Sequence, residues 1–113
     1  MNFNLDVERN SNILKISKEL YLKILGKAIT QTEQDLHNVE AALPLDQFAT
    51  IEAVTHRWKG DFDNLRVTAL SDLAKQMNQL ARLNQDKEKI VELLNQFREY
   101  FVDLSQFVSN RKQ

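Results

Sequence analysis

The chain has 113 residues and a formal net charge of −1, from 15 basic and 16 acidic side chains. This length predicts a single domain, residues 1–113, with one hydrophobic core, and the balanced charge gives no electrostatic basis for binding nucleic acid or an anionic membrane. The chain has no cysteine, which excludes disulfides, thiolate metal sites and cysteine nucleophiles.

The first 16 residues give the weakest pattern in the chain. They begin with MNFNLDVERNSN, which lacks the basic and then apolar layout of a signal peptide. No later stretch contains the roughly 20 apolar residues of a membrane span, so we expect a cytoplasmic protein or a domain of a larger, membrane-anchored one. Four apolar residues predict a short helix or arm that covers one end of the fold: Leu5, Val7, Ile13 and Leu14.

Four longer helices follow, predicted at about 17–43, 46–63, 67–83 and 86–109. The chain is rich in Leu, Lys, Glu, Gln and Ala and has two glycines and one proline, which favours helix over sheet. Ser17 is the predicted N-cap of the first long helix. Pro44 ends that helix, because the residue before a proline avoids the helical region. Thr68 and Asp86 are the predicted N-caps of the third and fourth.

Apolar residues recur at intervals of three and four in each long helix, so each helix has one buried face. In the second helix this face contains Phe48, Ile51, Thr55, Trp58 and Phe62. Amphipathic helices joined by short turns predict an all-α fold, an antiparallel up-down-up-down four-helix bundle with the short N-terminal helix or arm added.

His56 lies in the second long helix, within the stretch THRWKGDFDNL. At 100° per residue it is roughly 160° from the tryptophan of the buried face, so its side chain is expected to point to solvent. Ala49, Ala53 and Gly60 lie around the same outer face and leave the approach to the imidazole open. Lys59 follows one turn later, where its ammonium can hold an anion attached to the ring. An exposed imidazole, an open approach and a nearby cation describe a nucleophile that receives a phosphoryl group from another protein.

The same residues also admit a plainer interpretation. Histidines on helix surfaces are usually solvated side chains, and Lys59 is positioned to pair with Asp63 one turn later. His37, the second histidine, receives only this interpretation, because no strip of small residues and no glycine surround it.

The sequence resembles the histidine-containing phosphotransfer (Hpt) domains of multistep phosphorelays. The family motif H-x-x-K-G stands here as His56-Arg57-Trp58-Lys59-Gly60, in the second long helix of a four-helix pattern. The stretch ELYLKIL at the start of the first long helix, and the turn and third helix after the motif, extend the resemblance over roughly residues 16 to 105.

The resemblance implies that His56 accepts a phosphoryl group from the aspartyl phosphate of a response-regulator receiver domain and passes it to an aspartate of another receiver. Lys59 would stabilise the charge of the phosphohistidine. Asn78 and Arg82 are weaker candidates for hydrogen-bonding the imidazole or the phosphoryl oxygens. The partner is expected to dock on the residues around the histidine: Ala49, Glu52, Ala53, Gly60 and Asp63. The expected partners are receiver domains or a hybrid sensor histidine kinase, and the chain is expected to be monomeric.

No kinase activity is expected of the chain itself. It has no G-x-x-x-x-G-K-[ST] phosphate loop, and two glycines cannot build a glycine-rich lid. The sequence shows no cluster of metal ligands and implies no cofactor. The magnesium ion that phosphoryl transfer requires would come from the acidic pocket of the receiver.

The chain departs from the family pattern after the motif. Asp61, Phe62 and Asp63 stand where the family often has small residues, and Arg66 replaces a glycine. Arg66 is expected to change the turn, since a residue with a side chain resists positive φ. Asp63 lies nearly in line with His56 and is expected to influence partner choice.

Two functions without phosphotransfer remain open from the sequence. One is an adaptor bundle that docks a receiver or a partner helix, with His56 incidental. The other is a degenerate phosphotransfer fold that binds receivers but transfers nothing; the intact His-Lys-Gly set argues against it.

Overall fold

A computed structural model of the protein describes residues 5–111. Within that range it contains five α-helices, one 3₁₀ turn and no strand: α1 (Val7–Leu14), α2 (Lys18–Ala42), the 3₁₀ turn (Leu43–Leu45), α3 (Phe48–Asn64), α4 (Thr68–Arg82) and α5 (Lys87–Arg111). The predicted all-α bundle with a short N-terminal helix is confirmed, and each long helix begins and ends within two residues of its predicted bounds. None of the helices described is long and apolar enough to span a membrane.

Two of the three predicted helix caps are confirmed. The Ser17 hydroxyl accepts a hydrogen bond from the Leu20 amide at 3.0 Å, and the Asp86 carboxylate accepts one from the Lys89 amide at 3.1 Å. The prediction for Thr68 is wrong, because Val67 occupies the N-cap position and Thr68 is the first residue of α4. Helix α4 therefore begins without a side-chain cap, after a valine that is buried in the core.

The turn between α3 and α4 corrects a second expectation. Arg66 adopts φ 63°, the left-handed conformation that glycine favours, so the arginine keeps the turn that it was expected to change. Two backbone bonds close the turn, from the Val67 amide to the Phe62 carbonyl at 2.8 Å and from the Arg66 amide to the Asp63 carbonyl at 3.1 Å. The left-handed residue costs roughly 1–2 kcal/mol, which these bonds offset.

The helices α1 and α2 also hold this turn. The Tyr21 hydroxyl donates to the Leu65 carbonyl at 2.6 Å and accepts from the Asn10 amide at 3.2 Å. Helix α1 therefore covers one end of the bundle, but not with all the predicted residues. Ile13 is 44% exposed, whereas Asn10 and Ser11 are buried, because the Asn10 side chain bonds the buried tyrosine.

The core lies between the four long helices and includes four of the five residues predicted for the buried face of α3. The fifth, Phe48, is partly buried and packs against the core. Trp58 stacks on Phe97 of α5 with ring centroids 4.3 Å apart. Helix α3 packs most extensively against α4. Asn78 of α4 bonds Glu52 and Thr55 of α3. Counted along the chain from the turn between the helices, Asn78 is about as far into α4 as Glu52 and Thr55 are back into α3. The two helices are therefore antiparallel, and their register places α4 residues beside the turn of α3 that carries His56.

Candidate functional site

His56 lies on an open outer ridge of α3. Its side chain is exposed, and Ala49, Ala53 and Gly60 are exposed on the same helix. A Cβ atom added to Gly60 would meet nothing within 4 Å, and the residue has no positive φ. The fold therefore does not require a glycine at this position, and its absent side chain leaves free space one turn from the imidazole.

Asn78 fixes the backbone next to His56. Its amide nitrogen donates to the Glu52 carbonyl at 2.9 Å and to the Thr55 hydroxyl at 3.3 Å. In an α-helix the Glu52 carbonyl is also the acceptor for the backbone N–H of His56. Asn78 is buried, so the hydrogen bonds seen for it go to α3 and not to the imidazole. Its predicted contact with the imidazole or with the phosphoryl oxygens stays a prediction, while the two bonds that its amide nitrogen donates go to α3.

The cations on the α4 side of α3 have no acidic partner. The predicted pairing of Lys59 with Asp63 is wrong: neither Lys59, Lys75 nor Arg82 forms an ion pair within residues 5–111. Lys59 is partly buried, whereas Asp63 and Arg82 are exposed. A lysine and an aspartate four residues apart on a helix gain only about 0.3–0.5 kcal/mol by pairing, so the spacing alone does not ensure that the pair forms. The Lys59 ammonium is free to bind an anion.

The α2 side of α3 is organised differently. The Arg57 guanidinium forms an ion pair with Asp35 of α2, whose side chain is 1% exposed while that of Arg57 is 46% exposed. The Gln31 amide also donates to Asp35 Oδ1 at 3.1 Å. The hydrogen bond to Asp35 raises the pKa of Arg57 above its ordinary value. This contact ties α3 to α2 at the residue that follows His56.

The chain is matched by the family model of the Hpt domain over residues 23–107. The match covers 85 of the 113 residues and includes the whole motif from His56 to Gly60. The chain belongs to the Hpt family. Hpt domains are histidine phosphotransfer intermediates of two-component phosphorelays, not kinases, and they interact with response-regulator receiver domains. No curated protein and no solved structure gave a significant match to the chain.

The second histidine of this Hpt domain has different surroundings. His37 is exposed on α2 and lines a groove of about 410 Å³ between α2 and α5, together with Glu33, Glu40 and Arg98. The Arg98 guanidinium is already bonded to Glu40 at 2.6 Å. Among the residues that line this groove, His37 therefore has two acidic neighbours and no unpaired cation beside it.

Sequence reasoning missed the ion pair of Arg57 with Asp35. A signal was available, because Asp35 follows Thr32 by three residues and precedes Val39 by four, so it falls on the buried stripe of α2. A buried carboxylate requires a hydrogen-bonded cation, but the sequence does not say which cation supplies it. Asp35 Oδ2 has no hydrogen-bond partner among residues 5–111, so the carboxylate is incompletely satisfied.

Asp61 extends this charge cluster along the α2 side. Burial raises the pKa of Asp61 above its ordinary value, and the negative charge of Asp35 raises it further, while Arg57 lowers it. The guanidinium of Arg57 therefore interacts with two carboxylates, those of Asp35 and Asp61. The described residues include no group of three or more His, Cys, Asp or Glu that could hold a metal ion.

Proposed function

We propose that His56 accepts a phosphoryl group from the aspartyl phosphate of a response-regulator receiver domain and transfers it to an aspartate of another receiver. One observation carries this proposal. In a chain of the Hpt family, the motif histidine is exposed, and the space beside it at Gly60 is empty. A receiver domain is a bulky donor, so its phosphoaspartate needs this open approach.

The transfer uses the neutral imidazole. The lone pair of Nε2 attacks the phosphorus atom, the bond from phosphorus to the aspartate oxygen breaks, and the carboxylate leaves with the electron pair. The proton on Nδ1 stays on the ring. The same steps in reverse order deliver the phosphoryl group to the next receiver.

The residues around His56 have two roles in this reaction: cations stabilise the charge of the phosphoryl group, and Asn78 positions the backbone that carries the histidine. Lys59, which has no ion pair with any residue between 5 and 111, stabilises the phosphoryl oxygens through a charge-assisted contact. Arg82, exposed near the end of α4, is a second candidate for those oxygens. Asn78 holds the α3 backbone below the imidazole and acts as a positioning residue.

We assign the docking surface to Ala49, Glu52, Ala53, Gly60 and Asp63. Ala49, Ala53, Gly60 and Asp63 are exposed around His56, and Glu52 is partly exposed. The small residues allow close approach, and the carboxylates influence which receiver binds. The magnesium ion that the reaction requires comes from the acidic pocket of the receiver. The donor receiver is free or part of a hybrid sensor histidine kinase, and the chain acts as a monomer in the cytoplasm.

The test is incubation with receiver domains carrying labelled phosphoaspartate. We expect an acid-labile, alkali-stable phosphate on the wild type and on His37→Gln, and none on His56→Gln. The His56→Gln variant should retain its thermal stability, because an exposed side chain contributes little packing energy.

Two results would contradict the proposal. Label that persists in His56→Gln, or that disappears in His37→Gln, would assign the phosphate to another residue. Binding of receivers without any label on the chain would favour a helical-bundle adaptor that docks a receiver without phosphotransfer.

A further inference from the structure

We propose that Lys75 of α4 is a second cation that binds the phosphoryl group on phosphorylated His56. The inference rests on the proposed function in one respect, the choice of His56 as the phosphorylated residue. It comes from the register of α3 against α4, which the sequence alone does not supply.

The contact of Asn78 with α3 sets this register. Asn78 bonds the carbonyl of Glu52 and the hydroxyl of Thr55. Because the helices are antiparallel, residues nearer the N-terminus of α4 lie beside residues nearer the C-terminus of α3. Lys75 lies three residues before Asn78, about 4.5 Å along the helix axis, and His56 lies four residues after Glu52, about 6 Å along. The Cα atoms of Lys75 and His56 therefore lie at nearly the same height along the axis of the helix pair, about 1.5 Å apart in this direction.

The two residues also share one side of the helix pair. Lys75 is about 60° around α4 from the buried Asn78, at the solvent edge of the surface that faces α3, and it is exposed. Lys59 follows Glu52 by seven residues, two helical turns along the same side of α3. Lysines from two adjacent helices thus flank the same side of His56.

The charge of Lys75 is available to a ligand. Lys75 forms no ion pair with any residue between 5 and 111, and the acidic residues on this side of α3, Glu52 and Asp63, also form none. The long, flexible stem of a lysine allows its ammonium to reach an anion on the facing helix. Two ammonium groups at one phosphoryl group would stabilise its dianionic form.

A titration of the phosphorylated domain tests this role. The His37→Gln protein, in which His56 is the remaining histidine, is treated with phosphoramidate in place of a receiver. The ionisation of the phosphoryl group on His56 is then followed by ³¹P NMR. A unit charge about 6 Å away in water changes a pKa by about 0.5 unit. We expect Lys75→Ala to raise the phosphoryl pKa by about that amount, and Lys75→Arg to restore it.

The control is Lys23→Ala, which removes the same charge from α2. Lys23 lines a groove between α2 and the end of α5 and should leave the titration unchanged. The Lys75 effect should shrink in 1 M salt, where the Debye length is about 3 Å. The proposal is overturned if Lys75→Ala titrates like Lys23→Ala.

The chemical reagent separates this proposal from the proposed function. If His56 takes phosphate from phosphoramidate but not from any receiver, the function is wrong while the titration still decides the role of Lys75. If phosphoramidate does not modify His56, both are overturned.

Discussion

The two sides of α3 next to His56 use charged residues for different purposes. On the α2 side, Arg57 is bonded to the buried carboxylate of Asp35, and Asp61 adds a second acid to the same guanidinium. On the α4 side, Lys59 and Lys75 have no acidic partner within the described part of the chain, and a neutral amide, Asn78, makes the contact between the helices.

This difference separates stability from function within a few residues. A charge already paired with a buried partner cannot leave it without a large cost, so Arg57 acts on the fold. A free lysine ammonium loses only solvation when it binds an anion, so the α4 side is the one that can respond to phosphorylation. Mutations on the two sides should therefore give different phenotypes.

The largest expected effect is on folding, at Arg57. Arg57→Ala leaves the Asp35 carboxylate buried without its cation, and breaking a fully buried pair in this way costs about 3–5 kcal/mol. Because the Arg57 side chain is 46% exposed and water already screens the pair, we expect a loss of about 2–3 kcal/mol. Urea unfolding followed by circular dichroism measures it.

Arg98→Ala is the matched control for burial. It removes the same residue type from the pair with Glu40, in which the two side chains are 38% and 45% exposed. We expect a loss below about 1 kcal/mol there. Equal losses of unfolding free energy for the two arginines would show that burial of the Asp35 carboxylate does not set the cost. They would contradict the assignment of the α2 side of α3 to stability.

Much of this architecture follows from sequence periodicity. The spacing of Ile51, Trp58 and Phe62 identified the buried face of α3, because a helix repeats every 3.6 residues and hydrophobic burial has no directional requirement. The exposure of His56 followed from the same geometry. Local patterns of this kind are encoded in neighbouring residues.

The contacts between helices could not be obtained in this way. Arg57 and Asp35 are 22 residues apart and Asn78 and Glu52 are 26 apart, so their meeting depends on the packing of whole helices. The predicted pair of Lys59 with Asp63 is a local contact, between residues four apart, and it does not form. Spacing alone predicts this pair, and the gain from such a pair on a helix surface is too small to hold the flexible lysine side chain in one geometry.

The next largest effect is expected on transfer, at Lys59. Lys59→Ala removes a charge-assisted contact to the phosphoryl group, and a loss of about 1.4 kcal/mol corresponds to a roughly tenfold slower transfer from a phosphorylated receiver. Folding should change by less than about 0.5 kcal/mol, as for most surface substitutions. Initial rates of label transfer at equal receiver concentration measure the effect.

Asp63→Ala completes this experiment. Since Asp63 forms no ion pair with Lys59, its removal should not release the lysine, but it removes a negative charge nearly in line with His56. Transfer should be unchanged or faster with some receivers. Transfer by Lys59→Ala at the wild-type rate would instead make the lysine a solvated surface residue and leave the α4 side without a demonstrated function.

The smallest expected effect lies at Gly60, on the ridge between the two sides. An added Cβ meets nothing within 4 Å, so Gly60→Ala should stabilise α3 by up to about 1 kcal/mol through helix propensity and a less flexible unfolded chain. The same methyl group occupies the space through which a receiver approaches His56, so transfer should slow, and it should slow further in Gly60→Gln.

Thr30→Ala on the exposed surface of α2 is the control, since it also favours helix but should leave transfer unchanged. Urea unfolding and label transfer on the same preparations give both quantities. A Gly60→Ala protein that is less stable than the wild type would reveal a backbone role for the glycine, and one that is more stable with unchanged transfer would show that receivers do not need this space.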